Sequence, residues 1–242
     1  MIDRLAPTRR PFGPPAGNHC WRTLLFVHWE VPIEALEPLI PSRLSIDTFE
    51  GKAYVGLVPF TMNEIHPRWF PPMPGVSAFH ETNVRTYVHL DGEGPGVWFF
   101  SLDAANPLAV VAARLGWSLR YFFAEMAIHE SGHEIRYRST RHLAGATPAV
   151  VDVAAKLGPD LGNAAPGTLA HFLCERYLLY AQRGRRLLCG QVHHTPYPLR
   201  AAKLTRVEQT LITKAGIATR GPPSSVLFSP GVDVEVFPLH DV

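Results

Sequence analysis

Glu81-Thr-Asn-Val-Arg-Thr-Tyr-Val88 and Val97-Trp-Phe-Phe-Ser-Leu-Asp103, joined by Asp91-Gly-Glu-Gly-Pro-Gly96, decide how this chain reads. Both runs are rich in β-branched and aromatic residues, and the glycine-rich connection suits a hairpin, so they read as paired strands. Successive strand side chains point to opposite faces, which sets Glu81, Asn83, Arg85 and Tyr87 on one face and Thr82, Val84, Thr86 and Val88 on the other. Taken alone, the first face reads as solvent. The same period places Ser101 and Asp103 with Val97 and Phe99, opposite Trp98, Phe100 and Leu102. Both faces of this second strand are largely apolar, so it reads as buried on two sides, and a carboxylate there requires a partner such as Arg85.

The strand character spreads outward from this pair. Leu44 to Ile65 is β-branched and aromatic, with Glu50-Gly51 as a turn, and His66 to Phe79 holds four prolines and three aromatics and reads as an irregular loop. Tyr121 to Ile128 and Glu134 to Arg141 alternate as strands, Glu175 to His194 reads as a hairpin turning at Gln182 to Arg185, and strands over 204–213 and 226–237 close the chain. Helices are few and short. A turn or two follows Val31-Pro32, Asn106-Pro107 starts a helix over Leu108 to Leu115, and Thr168 caps one through Cys174. The segment 149–157 is compatible with helix or strand. Residues 1–18, with four prolines, read as a surface or disordered arm, and 19–242 as one β-rich barrel domain, α+β by class but mostly β, with two or three short helices.

Composition narrows the function. The 242 residues are 46% hydrophobic and 18% charged, which suits a chain with a large core. The 23 prolines exclude an architecture of long helices. A net charge of +2 gives no electrostatic footprint for nucleic acid, and no apolar run is long enough to span a membrane as a helix. Cys20, Cys174 and Cys189 are widely spaced and no cationic-then-apolar leader precedes them, so a cytoplasmic setting is expected.

Motifs add mostly exclusions. His129-Glu-Ser-Gly-His133 matches a zinc-peptidase pattern, but that pattern needs a helix to bring both histidines to one face, and here it lies between strands as a hairpin tip. His193 and His194 point to opposite faces of a strand and cannot share an ion. No phosphate-binding glycine loop and no nucleophile elbow is present, so neither a cofactor nor a metal is expected. Glu175-Arg176-Tyr177, at the start of a later strand, is a further polar cluster.

Ala53-Tyr-Val-Gly-Leu-Val-Pro-Phe60, Glu81-x-Asn-Val-Arg-Thr-Tyr-Val88, Phe100-Ser-Leu-Asp-Ala104, His171-Phe-Leu-x-Glu-Arg-Tyr177 and His193-His-x-Pro-x-Pro-Leu199 resemble the YqjF-like family of conserved bacterial proteins of unknown function. The resemblance covers about residues 20 to 240. That family is distantly similar to acetoacetate decarboxylase, which implies a closed β-barrel or cone around a small-molecule cavity. In the decarboxylase two adjacent lysines follow a helix and one forms a Schiff base; Arg120 and Tyr121 stand at those positions here, and a guanidinium cannot form the imine. The resemblance also matches Glu81 to an active-site glutamate, which turns the Glu81 face from solvent towards cavity.

Three readings follow. One is a barrel for an oxo-acid or other small carboxylate, with lyase-like or hydrolytic chemistry. In it Arg120 and Arg85 hold the acid, Glu81 or Tyr121 acts as acid or base, and Asn83, Ser101, Asp103, Glu175 and His193 contribute to binding. The second is a ligand-binding sensor or storage protein using the same cavity. The third is a scaffold whose polar clusters are structural. The expected partner is a small molecule, neither nucleic acid nor membrane, and a homo-oligomer stays open.

Overall fold

The computed structural model describes residues 2–110, 119–142 and 147–242. Among the described residues, fourteen strands form one sheet: β1 (Gly17–Val31), β2 (Leu44–Ile46), β3 (Ala53–Pro67), β4 (Phe79–Leu90), β5 (Glu93–Ala104), β6 (Tyr121–Phe123), β7 (Glu125–Ser131), β8 (Glu134–Arg141), β9 (Ala149–Gly162), β10 (Leu178–Arg183), β11 (Arg186–His193), β12 (Leu199–Gln209), β13 (Ser225–Val236) and β14 (His240–Asp241). The pairings β1–β3–β4–β5–β10–β11 return to β1 through β13, so seven strands close a ring. Strands β12, β9, β8 and β7 continue from β13 as a wing that folds over the outside.

Two cores result. Inside the ring, Leu24, Phe26, Val58, Phe60, Tyr87 and Val97 pack with helix α2 (Leu169–Cys174). Outside it, the alternate residues Leu25, Val27, Val55, Leu57 and Val84 pack on Ile135, Tyr137, Val151 and Val153 of the wing. Ring strands buried on both faces explain why their sequences are so apolar.

The local signals act as the residue types dictate. The Thr168 side chain accepts from His171 N at 3.2 Å to cap α2. Asn106 Oδ1 accepts from the amides of Leu108 and Ala109, and residues 107–110 are helical; the remainder of the helix expected through Leu115 lies outside the described residues. Residues 129–133 do sit at the β7–β8 hairpin, with Ser131 opposite Glu134.

Several expectations are corrected. The β4–β5 turn is only Asp91-Gly92, both at positive φ, because that conformation matches the twist of the flanking strands; β5 therefore starts at Glu93. The segment 149–157, compatible with helix or strand in sequence, needs no correction: it is strand, within Ala149–Gly162. Strand β12 stops at Gln209, whose side chain accepts from Ile212 N and starts the helical turn α3 (Leu211–Lys214). Glu175 to Tyr177 precede β10 and lie between it and α2.

The seam between β5 and β10 is parallel, pairing Gly96 with Leu178. A Cβ on Gly96 would stand 2.8 Å from the Leu178 carbonyl oxygen, so only glycine permits this approach. Gly96→Val is therefore expected to lower unfolding free energy by ~2–3 kcal/mol in urea titrations; an unchanged midpoint would remove the seam from this account.

Candidate functional site

The ring encloses a cavity of about 470 Å³, and one strand contributes three of its polar lining residues. Glu81, Asn83 and Arg85 of β4 all face it, as the period of two requires, and all are buried. Its lining extends from the buried Arg85 and Tyr197 to Phe70, Met73 and Leu108, whose partial exposure marks the mouth.

Glu81 and Tyr121 form its acid–base pair. The Tyr121 hydroxyl donates to Glu81 Oε2 at 2.8 Å. Burial pushes the Glu81 carboxyl up to about 8, the nearby Asp103 charge adds to this, and the Tyr121 bond opposes it. Burial likewise holds the Tyr121 phenol well above its usual range. Near neutral pH both groups therefore keep their protons, and the cavity presents a neutral carboxylic acid.

Arg85 is the contrasting element. It is 8% exposed, and among the described residues no carboxylate lies within ion-pairing distance. Its Nη2 donates to the Leu173 carbonyl at 2.9 Å, and its guanidinium lies over the rings of Phe26 and Tyr87. Among the described residues its Nε has no partner, nor has Asn83 Oδ1, which shares its face of the strand. Arg176 also lines the cavity but is paired with Asp47 at 2.7 Å, a carboxylate that Arg4 of the N-terminal segment also contacts. Asp47 and Tyr197 escape a sequence reading because nothing local marks them; their roles arise from contacts across the ring.

The other expected site residues are placed elsewhere. Ser101 and Asp103 face outwards with Val84 and Thr82, because Phe100 is an unpaired bulge residue: Val84 pairs with Ser101 and Arg85 with Phe99. The extra residue reverses the alternation, so Val97, Phe99 and Leu102 line the cavity while Asp103 meets Arg141 at 3.3 Å rather than Arg85. Arg120 is exposed and borders a separate recess with Tyr180 and Gln182; it and Tyr121 are consecutive, and Tyr121 takes the inward position. Glu175 is buried but is satisfied by the Tyr177 hydroxyl and Tyr197 N. His193 lies outside the cavity opposite Glu235, whereas His194 stacks on the cavity-lining Tyr177 at 4.4 Å.

Residues 18–233 match the family model for uncharacterized conserved proteins designated DUF2071. The chain belongs to that family. It is 35% identical over 220 residues to the uncharacterized protein YqjF of Bacillus subtilis, covering 91% of this chain and 90% of that one. Its fold is that of acetoacetate decarboxylase-like proteins. The Legionella pneumophila acetoacetate decarboxylase superposes with a TM-score of 0.65 at 12% identity, covering 98% and 92% of the two chains. The enduracididine biosynthesis enzyme MppR, complexed with pyruvate, gives 0.65 at 12%, covering 96% and 93%. In this DUF2071 member, Lys52, Lys156, Lys203 and Lys214 all lie outside the cavity lining.

The Glu81 shift has a thermodynamic signature. A carboxyl with a raised folded-state pKa binds its proton more tightly when folded, so its contribution is full below the unfolded value and is lost as pH rises towards 8. Between pH 4.5 and 8 the stability of wild type relative to Glu81→Gln should fall by up to ~1.4 kcal/mol per pH unit. Urea unfolding at both ends of that interval measures it; a difference independent of pH would mean an ionised Glu81.

Proposed function

We propose that the cavity binds an oxo-acid or another small carboxylate, with Arg85 as its anion anchor and Glu81 as its proton donor. The carrying observation is the buried Arg85 guanidinium with no counter-ion among the described residues. An uncompensated charge in a low-dielectric interior is costly, and a bound carboxylate removes the cost while satisfying the free Nε–H. The pyruvate complex of the similarly folded MppR supports this reading by analogy of fold.

Chemistry in this cavity starts from Glu81. Tyr121 occupies Oε2, which leaves Oε1 to donate to an oxygen on a ligand long enough to reach it from Arg85; a ligand with only hydrocarbon at that depth is bound without proton transfer. Imine formation has no support, since no lysine lines the cavity and Arg120 is outside it. Cys174 is also an unsuitable nucleophile, because burial raises its thiol far above the range where a thiolate forms. The shortage of nucleophiles also suits a second reading, binding without turnover by a sensor or storage protein.

Arg85→Met separates anchor from structural cation. The Leu173 carbonyl keeps its bond from the Tyr87 hydroxyl at 2.8 Å, so the variant should change stability by less than about 1 kcal/mol or raise it. A structural network would instead lose ~3–5 kcal/mol. In a thermal-shift panel of oxo-acids and other carboxylates, saturation near 100 times Kd adds roughly 2.7 kcal/mol, or about 5–10 °C. That shift should vanish in Arg85→Met; a shift of equal size in the variant would refute the anchor.

A further inference from the structure

We infer that the ligand is an amphipathic acid, with its carboxylate at Arg85 and an apolar chain running past Glu81 to the mouth of the cavity. This rests on the carboxylate reading above and specifies what lies beyond the head group.

Strand geometry sets the scale. Four residues at ~3.3 Å each separate Arg85 from Glu81 by about 13 Å along β4, so a three-carbon acid seated on one leaves most of the cavity vacant. The volume of about 470 Å³ falls in the range of sites for larger organic ligands, roughly 300–1,000 Å³. Between the two residues Asn83 is the one polar side chain of β4, and the wall around it is hydrocarbon and aromatic ring from Val58, Phe60, Phe99 and Leu102. Glu81 itself is neutral near pH 7, so a chain passing it meets no charge.

The apolar wall continues into solvent. Beyond Glu81 come Phe79 and Val76, then Met73 and Leu108, which line the cavity and are still 45% and 64% exposed. Phe70 of the same loop is half exposed at this rim, and Trp69 beside it is more so. Asn106 holds the loop in place by donating to the carbonyls of Gly75 and Val76. Apolar side chains gathered around one opening mark a surface completed by an apolar ligand. The path is therefore cationic where Arg85 is buried, uncharged midway and greasy at its exposed rim, which is the polarity of a chain with one acidic terminus.

The test is calorimetric titration of the full chain with butanoate, hexanoate, octanoate and decanoate, with 1-decanol as an uncharged control. Affinity should rise roughly fourfold per methylene up to the length that reaches the rim, and decanol should bind far more weakly than decanoate. Met73→Asp, at a position 45% exposed, should weaken decanoate several-fold and leave the short butanoate, which does not reach the rim, unchanged. Acids that all bind alike, and lose binding together in Arg85→Met, would overturn the amphipathic chain while sparing the carboxylate anchor. Decanol binding as tightly as decanoate would overturn the acid itself and the anchor with it. Absence of binding by every acid would overturn both.

Discussion

Closure of the sheet at the parallel β5–β10 seam is the constraint on which the rest depends. An open sheet would leave one face of β4 in water, where Glu81, Asn83 and Arg85 would be ordinary surface residues. The closed ring gives β4 two buried faces, one against the wing and one against the cavity. Burial of the outer face supplies hydrophobic stabilisation at roughly 25 cal/mol per Å², and this offsets the cost of carrying polar groups on the inner one. The same closure excludes water from the space into which those groups point, so their electrostatics follow interior rather than surface rules.

Those rules sort the titratable groups. Burial makes neutral forms the stable ones: Glu81 is pushed up to about 8, Asp103 up to about 7, and His194 down to about 4. His28, fully buried with Nε2 2.6 Å from the Tyr87 hydroxyl, is driven well below its usual value by burial and then by Arg85. A guanidinium cannot respond this way, since it stays charged in any protein environment. The interior cations that remain are therefore arginines, and the decisive comparison is between them. Arg176 has Asp47, and Arg141 has Asp103. Arg85 has a carbonyl and two ring faces, and the open cavity lies in front of it.

Much of this was readable in the residues. Alternation placed Glu81, Asn83 and Arg85 on one face, and the resemblance to the decarboxylase turned that face inward. The caps at Asn106 and Thr168 marked helix starts correctly because a side-chain oxygen meeting free amides is a local event. What was not readable is non-local or depends on a single inserted residue. The Phe100 bulge leaves no mark in the pattern Val-Trp-Phe-Phe-Ser-Leu-Asp, yet it moves Ser101 and Asp103 to the far side of the sheet. Arg120 and Tyr121 offered two candidates at one place, and only tertiary packing selects which enters. Asp47, Arg4 and Arg176 meet from three distant parts of the chain, so no spacing announces them.

The central claim is that Arg85 is a buried cation held ready for an anionic ligand. The most direct measurement is nitrogen-15 NMR of the Arg85 Nε–Hε group, assigned through Arg85→Met, before and after saturation with decanoate. The expected result is an unpaired Nε–H in the free protein that shifts and exchanges more slowly with water once the acid is bound. A resonance that stays fixed while decanoate perturbs other residues, or that already shows a carboxylate partner in the free protein, would contradict the account.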